Sequence, residues 1–155
     1  MNRIYCALGK ISEVTQHIEV RLGEICEISE IVKEFGRHQK MTLSDFNQAV
    51  EDAAYLKEKM NTMTFGTLIG VVRDSKSLSY EEVLDLKKLL EKRNYFTHEY
   101  FKYTNFEGKG EDFVLEEFEA LKEYLSKLKA MLNRLEIIKS GQKERLNYLS
   151  AKAGF

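Results

Sequence analysis

From Ile4 to Val32 the chain carries apolar or small residues spaced alternately four and three apart: Ile4, Leu8, Ile11, Thr15, Ile18, Leu22, Ile25, Ser29 and Val32. A second seam, Phe118, Leu121, Leu125, Leu128, Leu132 and Leu135, keeps the same rhythm near the other end. That period places a stripe along one side of an α-helix and is incompatible with the two-residue alternation of a strand. The chain also has no proline, although loop-rich α/β and all-β domains normally use several at turns. Its 155 residues suffice for one domain with a core of its own. The sequence therefore predicts an all-α, up-and-down helical bundle of four to five helices. A single domain should span 1–150 with a long N-terminal helix, and 151–155 should be a flexible tail.

Start and stop signals divide the chain. Gly36, followed by Arg37-His38-Gln39-Lys40, reads as the end of the first helix, with basic residues where the helix dipole favours them. Thr42 with Asp45, and Met41 with Phe46, mark the start of a second helix running to about Met60. A short apolar helix covers Phe65–Arg73, with Gly66 and Gly70 four apart. Ser79 with Glu82 forms a capping box, and Leu78 with Val83 a hydrophobic staple, opening a helix expected to continue to about Tyr103. Asn105–Gly110 reads as a polar turn, and the last long helix opens near Asp112. Two long seams are more than a small monomer must cover, so they pack on each other or one supplies a dimer interface.

Several function classes are excluded or left without support. Net charge is −1, so no global basic field recruits nucleic acid and any such binding needs a local patch. The longest apolar stretch, Phe65–Val72, is far short of the ~20 residues of a membrane span. The N-terminus lacks the long apolar region of a secretory signal, and the expected location is cytoplasmic. Cys6 and Cys26 lie about 30 Å apart on one helix, which forbids a disulfide between them and predicts two reduced, partly buried thiols. No Glu-x-x-His, His-Glu-x-x-His, phosphate-binding glycine loop or nucleophile elbow occurs, so no metal site and no cofactor is expected. His17 has Glu13 and Arg21 at i±4, an ordinary surface arrangement, and His38 reads as part of a helix end.

One segment gathers chemistry: Lys92-Arg93-Asn94-Tyr95-Phe96-Thr97-His98-Glu99-Tyr100-Phe101. With Arg93 as zero on an ideal helix, Thr97 falls at about 40°, Asn94 at about 100°, His98 at about 140° and Tyr100 at about −20°. Asn94 and His98 are then neighbours, Arg93 and Tyr100 share a line, and Arg93 and His98 stand on opposite shoulders of one face. A kink would be needed to bring the last two together.

Arg93 and Asn94, then His98-Glu99-Tyr100, reproduce Arg-x4-His-x-Tyr and resemble the signature of the HEPN superfamily, more specifically the HEPN toxins of prokaryotic toxin–antitoxin pairs. The preceding Thr64-Phe65-Gly66-Thr67-Leu68-Ile69 is similar to a segment upstream of that motif in some HEPN-like bacterial proteins. The resemblance covers roughly Thr42 to Ser140. It implies a HEPN-like bundle and metal-independent endoribonuclease activity of toxin or phage-defence type, in a composite cleft between two protomers of a homodimer, leaving 2′,3′-cyclic phosphate ends. Arg93 and His98 would be catalytic: His98 would take the proton from a ribose 2′-hydroxyl, and Arg93 would hold the phosphate. Asn94 and Tyr100 would support or position the substrate. The partners implied are RNA, a second copy and a nucleotidyltransferase-type antitoxin, for which Tyr100 matches the tyrosine that can receive a nucleotide.

The alternative is a non-catalytic HEPN-like dimerisation or regulatory module, with Arg93 and His98 on a solvated face and Tyr95, Phe96, Tyr100 and Phe101 in the core. Charge distribution bears on the choice. Residues 87–103 hold five basic against two acidic side chains, and 121–145 hold seven against three, whereas 105–119 hold six acidic against one basic. An RNA strand could follow the first two regions while the acidic turn faces elsewhere.

Overall fold

The computed structural model describes residues 1–155, all of them in helices or the short links between helices. Helix α1 spans Asn2–Arg37, α2 Leu43–Met60, α3 Phe65–Asp74 and α4 Tyr80–Asn94. A π-helical turn, Tyr95–Glu99, continues α4 into the one-turn α5, Tyr100–Tyr103, and α6 spans Glu111–Ala153. Counting α4 through α5 as one interrupted rod, the bundle has five rods, the upper end of the expected number.

Local sequence explains the boundaries. At α2, the Thr42 hydroxyl accepts from the Asp45 amide while the Asp45 carboxylate accepts from the Thr42 amide. Ser79 and Glu82 repeat that reciprocal arrangement at α4, with Leu78 and Val83 both buried beside it. Helix α1 does not stop at Gly36. It includes Gly36 and ends at Arg37, with His38 extended as its cap. His38 lies 3.5 Å from Glu34 and 3.9 Å from Asp45, so the imidazole spans the α1–α2 turn. A β-carbon on Gly66 would make ordinary contact with Leu90 at 3.5 Å, and one on Gly70 would meet nothing, so neither glycine is needed for close helix approach.

Side-chain pairs give the direction of each rod. Arg21 reaches Glu136 and Glu24 lies 2.8 Å from Lys139, so α1 and α6 run parallel. Phe35 stacks near Phe46, and Lys57 lies 2.9 Å from Glu27, so α2 returns antiparallel to α1. Arg134 meets Asp85 at 2.9 Å and Tyr100 meets Glu117, so the α4–α5 rod runs antiparallel to α6. The result is an up-and-down arrangement in which the first and last helices lie side by side and parallel, with Met1 near the start of α6 and Phe155 at the far end beside Phe46.

The two seams pack on each other. Ile4, Ile18, Leu22 and Ile25 of α1 and Leu121, Leu128 and Leu135 of α6 are fully buried in one 24-residue core. Neither seam is left over to cover a dimer interface. Cys26 is buried in this core, but Cys6 is exposed, because it lies off the α1 seam and no neighbouring helix covers it. The terminal residues 151–155, expected to be flexible, continue α6 to Ala153 and place the Phe155 ring 5.1 Å from that of Phe46. No helix is long and apolar enough to cross a membrane.

Candidate functional site

The rod expected to run unbroken to Tyr103 changes its hydrogen bonding at the segment singled out above. The Tyr100 amide donates to the Tyr95 carbonyl, five residues back instead of four, and Glu99 departs from helical geometry at φ −121°, ψ −19°. This wider turn accommodates three mutually packed rings: Tyr95–Phe96 at 5.4 Å, Phe96–Tyr100 at 5.6 Å and Tyr95–Tyr100 at 6.3 Å between centroids. A π-turn adds a residue to the turn, so positions five apart come closer to one line than in an α-helix. Arg93 and His98 are five apart, with Arg93 just before the distortion and His98 within it.

Arg93 continues the inward stripe Leu86, Leu89, Arg93, Phe96, Tyr100 and is half-buried. Its guanidinium donates to the Asn94 side-chain oxygen at 3.2 Å and forms no ion pair. On α1, Glu19 feels the Arg93 charge: burial pushes its carboxyl up, and Arg93 pulls it partly back. On α6, Tyr124 is buried, donates to the Leu89 carbonyl at 2.7 Å, and stacks on Phe96 at 5.0 Å. Burial pushes the Tyr124 hydroxyl upward, while the Arg93 charge opposes that shift.

His98 is exposed between exposed Thr97 and Glu99, and forms no hydrogen bond or ion pair within the chain. Asn94 is exposed. Tyr100 is only 1% exposed and donates to Glu117 Oε2 at 3.0 Å. Burial first, and this bond second, push its hydroxyl well above the usual tyrosine range. The structure thus joins Arg93 to Asn94 and Tyr100 to Glu117, and leaves His98 on the outer face. The four residues do not converge on one point within a single chain.

The aromatic residues divide in two. Phe96 and Tyr100 are core, whereas Tyr95 and Phe101 are 37% and 47% exposed, with Phe101 stacked near the exposed Tyr5 of α1. His17 has no partner, because Glu13 pairs with Lys10 and Arg21 with Glu24 and Glu136. No cluster of three or more histidine, cysteine or acidic side chains is arranged to hold a metal ion.

Glu19 and Glu117 were missed from the sequence. Each directly adjoins a seam residue, Ile18 or Phe118, and that position carries a side chain along the edge of the helix contact. The inward stripe through Arg93 was also readable. The π-turn had no comparable signal. Compared with known proteins, the chain matches no family model, no curated protein and no solved structure.

Proposed function

We propose that this chain is a metal-independent endoribonuclease of HEPN toxin or phage-defence type, acting as a homodimer. The observation that carries the reading is the π-helical turn confined to Tyr95–Glu99, which contains the unengaged, exposed His98 and begins two residues after Arg93. Departures of this kind from α-helical geometry are frequent at functional sites.

In this account His98 takes the proton from a ribose 2′-hydroxyl, the 2′-oxygen attacks phosphorus, and the 5′-oxygen leaves with its bonding pair and is protonated by water. Arg93 offsets the charge on the non-bridging oxygens, oriented by its bond to Asn94. Because Arg93 and His98 of one chain do not meet, a second copy completes the cleft. Tyr100 acts by holding the π-turn against α6 through Glu117 and does not touch substrate. A nucleotidyltransferase-type antitoxin acting on Tyr100 would have to draw its hydroxyl away from Glu117. The inward placement of Arg93 and the burial of Tyr100 favour the second reading, a non-catalytic HEPN-like module.

Induced expression in a bacterial host separates the two. The nuclease reading expects growth arrest by the wild-type chain and recovery with His98→Ala at equal protein level. Equal growth with both chains, each folded and abundant, favours the module.

A further inference from the structure

Beside the motif, α4 and α6 enclose a groove of about 540 Å³ whose lining includes Lys88, Lys92, Lys127 and Arg134. Asp85 and Glu91 also line it. Asp85 is occupied by Arg134 at 2.9 Å, and Lys127 by Glu123 at 2.8 Å. Lys88 and Lys92 are exposed and form no ion pair, although Glu123, paired with Lys127, also feels the Lys92 charge. They lie one helical turn apart, a rise of about 6 Å, close to the step between successive phosphates of a nucleic-acid strand. At one end the groove closes on Lys92 and Tyr124. Lys92 directly precedes Arg93, and the Tyr124 ring stacks on Phe96 of the π-turn that carries His98.

We propose that this groove binds a single strand of RNA, with Lys88 and Lys92 on consecutive phosphates, and leads it toward Arg93 and His98. The assignment deepens the nuclease reading and rests on it for the choice of RNA. Charge selects a polyanion, because four cations line the groove against two carboxylates, Asp85 and Glu91. Width selects one strand. The flanking helices touch through Tyr124 and the Leu89 carbonyl, a contact that forms the floor of the groove, and the groove's roughly 540 Å³ is far too small to take up a duplex.

The test measures binding of a labelled single-stranded RNA to the full chain in a His98→Ala background, so that cleavage does not consume the probe. Lys88→Gln with Lys92→Gln is compared with Lys40→Gln plus Lys152→Gln, two exposed lysines outside the groove carrying the same charge change. The groove pair should weaken binding at least about tenfold near 0.1 M salt and reduce the slope of log affinity against log salt by about 1.4. The control pair should change neither, and a duplex of the same length should bind more weakly. Equal losses in both pairs, no loss in either, tighter duplex binding, or competition by polyglutamate as effective as by RNA would each overturn the assignment. Failure of the nuclease reading is distinguishable: RNA binding with the predicted slope change but no cleavage by the wild type sinks catalysis and leaves the groove. Wild-type cleavage with KM unchanged in the groove pair sinks the groove alone.

Discussion

The Tyr100 hydroxyl donates to Glu117 Oε2 across 3.0 Å, tying the C-terminal edge of the π-helical turn to α6. Tyr100 is also the residue whose amide closes the wide turn onto the Tyr95 carbonyl. One residue therefore sets the backbone of the segment with its main chain and anchors it with its side chain. Tyr100→Phe keeps the ring in the core and removes the bond. It should cost about 1 kcal/mol, because Glu117 is half-exposed and regains water. In a chain of this size that lowers Tm by roughly 2–4 °C, measured by thermal unfolding.

Tyr100 and Tyr124 also predict a response to alkali. Burial raises both hydroxyls above their ordinary value, so the folded state holds these protons after the unfolded state has released them. The stability they contribute is fully present below the unfolded tyrosine value of about 10 and declines as pH rises above it. Denaturant midpoints should fall above about pH 10, and the fall should be shallower in Tyr100→Phe and in Tyr124→Phe than in the wild type.

Glu19 follows the same sign in a lower pH range. Its carboxyl is raised by burial in spite of Arg93, so the charged form is penalised in the folded state and stability falls as pH rises through the carboxylate range. Glu19→Gln should raise Tm at pH 7, and the gain should vanish below about pH 4, where the wild-type carboxyl is protonated in both states. A lower Tm at pH 7 would show that the attraction between Glu19 and Arg93 outweighs desolvation.

The helix count and the two capping boxes follow from local rules: a 3–4 spacing buries one face, and Ser or Thr three residues before an acid fixes a start. That the two seams pack on each other, and not on a second copy, is set only by the tertiary arrangement. Gly36 misled because a glycine near basic residues is a good stop only where the chain turns left-handed, and here His38 takes an extended conformation instead. The ideal-helix angles placed Arg93 and His98 on two shoulders of one face. The inward stripe from Leu86 to Tyr100 shows why they do not share a face: Arg93 occupies a core-facing position, whereas His98, two residues from each of the buried Phe96 and Tyr100 in sequence, faces outward. The π-turn escaped the sequence because it depends on how Phe96 and Tyr100 pack against Tyr124 and Glu117 of α6, which no local spacing encodes. The groove was half visible as two basic regions. That Arg134 is taken up by Asp85, while Lys88 and Lys92 form no ion pair, is set only when α4 meets α6.

The most direct test is cleavage of a labelled RNA pool by the purified chain in excess EDTA, with Arg93→Ala and His98→Ala in parallel and the new ends mapped. The account predicts 2′,3′-cyclic phosphate and 5′-hydroxyl ends from the wild type and their loss in both variants. Absence of cleavage by a folded wild-type dimer, or equal cleavage by all three proteins, would contradict it.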